Sequence, residues 1–233
     1  MRILAVDTSG FEGSVALSDD RTVVAERQLS AEGRRHAQTL VSEVDALLKE
    51  QSLRPSDIDA VAVSIGPGSF TGLRVGVVFA KTFAWANGAQ LVAVDTLQAV
   101  AQQIGEEHET VTVISDAQRR EVFLNEYQWD AATNARTPVG EIRICTVDSL
   151  LSAVEDHEPS ATELFSGPGL TKFGEELAGR YSLAEESLWI PRAASVAQIG
   201  SLMLNDNKIA DAYTLEPLYI RRSYAEEKAA KTS

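Results

Sequence analysis

Residues Ala60-Val61-Ala62-Val63-Ser64-Ile65 are apolar on both alternating faces and run directly into Gly66-Pro67-Gly68-Ser69-Phe70-Thr71-Gly72. A strand with no polar face has to be covered on both sides. That is the situation of a central parallel strand with helices packed above and below it, so the chain is read as α/β. Residues 71–85 then read as a helix, with Gly72, Gly76, Ala80 and Ala84 in a row of small residues at i+4 spacing. Val75, Val78, Phe79, Phe83 and Trp85 make the rest of that helix largely apolar, so it needs cover on more than one side: a single core, or a subunit interface.

Around this unit the pattern is regular. Apolar runs at 3–6, 14–17 and 22–25, separated by turn residues, predict a three-strand meander. Leu40, Val41, Val44, Leu47 and Leu48 predict an amphipathic helix over 36–48, and residues 91–94 predict a buried strand with a helix near 97–104 after it. A second strand at 111–114 leads to Asp116, as the first strand leads to Asp7, and a hairpin partner is expected at 121–124. Further elements are expected at 142–144 (strand), 147–154 (helix), 164–165 (strand) and 174–179 (helix). The repeated strand-Asp-strand opening predicts two lobes of similar topology meeting near Asp7 and Asp116: 1–104 and 105–222, with the last part free to pack back on the first lobe. Residues 223–233 read as a frayed or mobile tail.

Composition removes several classes. A chain of 233 residues that is 44% hydrophobic can bury a sizeable core. No apolar stretch is long enough to span a membrane, and Asp7 arrives too early for a signal peptide, so a cytoplasmic protein is expected. Cys145 is alone, and the histidines, His36, His108 and His157, are scattered, so neither a disulfide framework nor a metal site is expected. The net charge of -13 opposes phosphate neutralisation, although Arg119-Arg120 and Arg221-Arg222 are local exceptions.

Glycine loop and helix start resemble a phosphate cradle, because free N–H groups and the helix dipole favour an anion there. The spacing matches neither the dinucleotide fingerprint nor a Walker loop. The competing explanation is a tight turn, with Ser69 or Thr71 capping the helix and Gly68 at positive φ. Asp7, Thr8, Ser9, Gly66, Gly68, Ser69 and Asp116 are therefore candidates for an anion or nucleotide site; either aspartate is equally able to cap a turn. Leu40 stands one helical turn after His36, where a helical metal pair needs a second histidine, and Ser9 and Ser69 have no evident His and acid partners.

The segments Ile3-Leu4-Ala5-Val6-Asp7-Thr8-Ser9, Gly66 through Arg74, Asp116-Ala117-Gln118-Arg119-Arg120-Glu121-Val122-Phe123 and Glu216-Pro217-Leu218-Tyr219-Ile220-Arg221-Arg222 together resemble the bacterial TsaB family, also called YeaZ. The resemblance implies a two-lobed actin-like (ribonuclease H-like) fold with a mixed sheet and flanking helices in each lobe. It also implies a part in making N6-threonylcarbamoyladenosine beside the tRNA anticodon, as a non-catalytic scaffold for a TsaD-like catalytic subunit. A TsaE-like ATPase would join the assembly, the chain would be a homodimer when alone, and tRNA would be reached mainly through the partner. No tightly bound cofactor or metal is implied, and nucleotide binding stays open. The implied pairing surface is His36, Leu40, Val44, Thr71, Arg74, Val75, Val78, Phe79 and Phe83. Ala117-Gln118, where an actin-type phosphate loop has glycine, departs towards a scaffold. An actin-fold ATPase or kinase, a metallopeptidase-like enzyme and a direct tRNA-binding module are the rival readings.

Overall fold

The computed structural model describes residues 1–29, 36–153 and 163–220, with His36 and Glu163 placed by backbone alone. The first sheet has five strands in the order β3-β2-β1-β4-β5. In it β1 (Arg2–Asp7), β2 (Ser14–Asp19) and β3 (Thr22–Gln28) form an antiparallel meander, and β4 (Ala60–Gly66) and β5 (Gln90–Asp95) add parallel to β1. One face carries α1 (His36–Glu50) and α2 (Phe70–Asn87), which bury Leu4, Val6, Val61 and Val63 beneath Leu40, Leu47, Val77 and Ala80. The other face carries Ile3, Ala5, Ala60 and Ala62. Both faces of β4 are therefore dry, as its unbroken apolar run requires.

The second sheet repeats the plan in the order β11-β10-β6-β7-β8, with β9 also on β7. β6 (Thr110–Gln118), β7 (Glu121–Asp130) and β8 (Ala135–Pro138) are antiparallel neighbours, while β10 (Glu163–Ser166) and β11 (Ser182–Leu183) run parallel to β6. β9 (Arg143–Thr146) leads into α4 (Val147–Ala153), and α5 (Leu170–Leu177) packs Leu170, Phe173 and Leu177 on Ile114 and Leu124. Asp116 does not end its strand: β6 continues past a bulge to pair Gln118 with Glu121.

One helix, α6 (Ala193–Asn205), has no counterpart among the expected elements. It returns to the free face of the first sheet, where Val196, Ala197 and Ile199 join Ile3, Ala5 and Val92, and Gly200 lies so close that an added Cβ would stand 2.6 Å from that of Ala62. Residues 209–220 then cross the same lobe as a strap, with the Ala210 amide donating to the Leu91 carbonyl and the Leu218 amide to that of Ile65. The tail at 223–233 and the pair Arg221-Arg222 lie outside the described residues. Among the described residues no helix is long and apolar enough to cross a membrane.

Helix α3 (Thr96–Ala101) joins the two sheets. Ala99 packs on the first lobe's core, while Leu97, Val100 and Ala101 pack on Val111, Val113 and Tyr127 of the second. Its N-cap, Asp95, accepts from the Leu97 amide at 2.8 Å and from the Tyr127 hydroxyl at 2.6 Å, so one half-buried carboxylate ties both lobes. Burial is the dominant cause that pushes Asp95 up to about 6, against the hydrogen bonds that favour its charged form. Because the folded-state value is raised, the stability it confers is complete below about 3.8 and is lost as pH rises through about 6. Asp95→Asn keeps one acceptor, for the Leu97 amide, and turns its NH2 to the Tyr127 oxygen, which then accepts, all without the charge. It is expected to raise stability at pH 8 by about 1–3 kcal/mol and to leave it unchanged near pH 4. Thermal melts at the two pH values check this, and a change of stability equal at both would show that the ionisation of Asp95 does not set it.

Candidate functional site

Two regions gather the candidate residues. At the cleft end of the first sheet, Asp7 is buried and its two oxygens accept from the Ser9 hydroxyl at 3.2 and 2.9 Å. Thr8 donates its hydroxyl to the Gly72 carbonyl at 2.8 Å, and the Ser69 amide donates to the Ser9 carbonyl at 2.6 Å. The chain's own Thr8-Ser9 backbone thus occupies the hollow of the glycine loop. An added Cβ on Gly68 would stand 2.5 Å from the Ser9 carbonyl, and one on Gly76 would stand 2.3 Å from the Thr8 hydroxyl. The small-residue row of α2 serves approach to the sheet. Ser69 is the N-cap and its hydroxyl accepts from the Gly72 amide at 3.3 Å. The positive φ falls at Gly66 (122°), not at Gly68, because the turn out of β4 occurs before the cis Gly66-Pro67 bond.

In the second lobe Asp116 is engaged by groups of its own lobe. It accepts from the Gln118 amide at 2.9 Å and forms an ion pair of 3.0 Å with Lys172 on α5. A lysine here already balances the carboxylate that a divalent cation would need. Among the described residues no three His, Cys, Asp or Glu side chains converge as a metal site requires.

The second region is the surface between α1 and α2. Two adjoining depressions of about 630 and 660 Å³ share Val41, Phe79 and Thr82. The first is walled by Phe70, Thr71, Arg74, Val75 and Val78; the second by Leu48, Leu53, Phe83 and Ala86. Leu40 and Val44 turn inward, 2% and 4% exposed, and form the floor. Val41 and Val78 are 65% and 62% exposed, so a water-facing apolar stripe runs along both helices. Phe79 and Phe83 stack at 5.7 Å. The expectation for the side chain of His36 lies outside the described residues. Val41 belonged to the amphipathic pattern, but its outward direction required the crossing of α1 over the sheet. Tyr219 of the strap, which lies against Phe70 at 5.3 Å, carries no local signal at all.

Two sheets of like topology, each with its helices, and a glycine loop between strand and helix define a protein of the actin-like, two-lobed class. The ethanolamine utilization protein EutJ from Carboxydothermus hydrogenoformans shares the fold at a TM-score of 0.50 and 13% identity, over 86% of this chain and 90% of that one. Residues 23–228 match the family model described as TsaD, tRNA N6-adenosine threonylcarbamoyltransferase. The tRNA threonylcarbamoyladenosine biosynthesis protein TsaB of Escherichia coli is 30% identical over 98% of both chains, and that of Bacillus subtilis 29% over 98% and 97%. A Pseudomonas aeruginosa protein described as similar to the peptidase YeaZ superposes with a TM-score of 0.80 at 26% identity, covering 94% of this chain and 99% of that one. The chain belongs to the TsaB (YeaZ) family of tRNA threonylcarbamoyladenosine biosynthesis proteins.

Proposed function

We propose that this chain is a non-catalytic, cytoplasmic subunit of the machinery that places threonylcarbamoyl on N6 of the adenosine beside the tRNA anticodon. Its task is to bind and support a TsaD-like catalytic subunit through the α1/α2 surface, on which a second copy sits when that subunit is absent. A TsaE-like ATPase completes the assembly, and tRNA is held mainly by the partner, since a net charge of -13 gives little counterion release. The observation that carries the reading is the continuous apolar stripe over α1 and α2, too exposed for an isolated monomer and of the kind that two subunits bury. A scaffold role is also favoured by the cleft: the glycine loop is filled by the chain's own backbone and Asp116 is held by Lys172. The sites at Asp7, Thr8, Ser9, Gly66, Gly68, Ser69 and Asp116 are accordingly assigned to architecture.

Reconstitution tests the reading. The chain is expected to co-elute with a TsaD-like subunit and to restore tRNA modification that neither achieves alone; modification by this chain alone would overturn it. Phe79→Glu is expected to abolish pairing by burying a charge in the desolvated interface. Half of Phe79 packs on the core, so Val78→Glu, at a more exposed position, is the companion variant. It should keep the wild-type circular dichroism spectrum and weaken pairing by at least about 30-fold. Normal pairing by a folded Val78→Glu would move the interface elsewhere.

A further inference from the structure

Several arginines pair with the acids of this chain, which has 34 acidic and 21 basic residues. Arg27, Arg54, Arg120, Arg143 and Arg192 each hold a carboxylate of the same chain. Arg74 has none among the described residues. Instead its guanidinium lies over the Phe70 ring, 3.8 Å from the centroid, and its Nε donates to the Tyr219 hydroxyl at 3.0 Å. Tyr219 is fixed in turn by its ring contact with Phe70 and by the neighbouring Leu218 amide, which holds the strap to Ile65. Stacking and the Nε bond set the plane of the group, and the two terminal nitrogens have no hydrogen-bond partner among the described residues. That is a two-pronged donor whose ordering entropy is already spent. It stands on the rim of the apolar depression beside Val75 and Val78.

We propose that Arg74 selects the occupant of this groove. It forms a paired hydrogen bond with a carboxylate on the flank of an apolar helix face, and that helix belongs to a chain other than this one. The inference rests on the reading of the α1/α2 surface as the docking site. Charge decides between occupants. Among the described residues that line the two depressions Asp45, in the second, is the one acid, and it is bonded to Lys49 at 2.7 Å, so a second copy that docks through this same lining offers Arg74 no unbonded carboxylate from it. A different chain with an acidic flank satisfies both the apolar floor and the cation. RNA phosphate would meet the cation only, beside an apolar wall and within a net negative field.

The test uses the full chain with the TsaD-like subunit and compares Arg74→Gln, Arg74→Lys and Val78→Glu for heteropairing, self-association and tRNA binding at low and high salt. Arg74→Gln is expected to weaken heteropairing about 30-fold or more, Arg74→Lys to recover only a small part, and self-association to stay as in the wild type. If Arg74→Gln pairs normally while Val78→Glu does not, the groove stands and the role of Arg74 is wrong. If both pair normally, the groove reading itself fails, and the Arg74 assignment with it. An equal loss of self-association would assign the carboxylate to a second copy, and a loss confined to tRNA binding would assign the fork to phosphate; either result overturns the proposal.

Discussion

Gly72→Ala, the addition of one methyl group, is expected to cost the protein at least about 3 kcal/mol, which for a chain of this size lowers Tm by about 10 °C. The new Cβ would stand 2.0 Å from the Thr8 carbonyl oxygen, where neither atom has room to retreat. Thr8 is locked in β1's extension by its own bond to the Gly72 carbonyl, and α2 is pinned against β4 by Gly76 on the next turn. Relief would require α2 to lift from the sheet, exposing Leu73, Val77 and Ala80. Alanine's better helix propensity, worth about 1 kcal/mol over glycine, offsets only part of this. Gly88 provides the comparison: it caps the same helix at φ 67°, with nothing within 4 Å of a built Cβ. Gly88→Ala should therefore lose only the left-handed penalty, about 1 kcal/mol. Urea denaturation of the two variants measures the difference, and equal losses would show that α2 is free to shift.

Arg136→Met is expected to destabilise by about 3–5 kcal/mol, although methionine is close in length and apolar. The guanidinium is fully buried in β8 and donates to the carbonyls of Ile104, Gly105, His108 and Glu109, at 3.3, 2.5, 2.7 and 3.1 Å. These are the last turn after α3 and the crossing into β6; the Glu109 carbonyl also accepts from the Trp129 amide at 3.2 Å, and the other three rely on Arg136. Methionine would strand the carbonyls of Ile104, Gly105 and His108 at once. Arg136→Lys tests whether the charge or the fork matters; a compact ammonium cannot span four carbonyls, so more than half of the loss should remain. Hydrogen exchange across residues 104–109 is expected to rise in both variants. A loss below about 1 kcal/mol in Arg136→Met would mean that water takes over the carbonyls.

The sequence by itself determined most of what depends on local pattern, α6 excepted. The two-sided apolar run at Ala60 to Ile65 requires cover on both faces, and apolar runs separated by turn residues set the meander of the first lobe and the hairpin of the second. The i+4 row of Gly72, Gly76, Ala80 and Ala84 announces a close approach. A further local signal is the recurrence of Gly66-Pro67-Gly68 as Gly167-Pro168-Gly169 after the equivalent strand β10, where Gly167 likewise takes a positive φ, 113°, beside Ile114. That repeat marks the duplication more sharply than the strand-Asp pattern. Only tertiary structure decided the rest, because each remaining answer depends on which distant segment arrives. The approach of Thr8-Ser9 to the glycine loop and the pairing of Asp116 with Lys172 each join segments far apart in the chain. Leu40 and Val41 are equally apolar neighbours, yet the crossing of α1 sends one into the core and the other to water. Arg136 is buried and Arg74 is held open for the same reason: a guanidinium is satisfied by whatever oxygens or rings the fold brings to it, and no spacing along the chain encodes them.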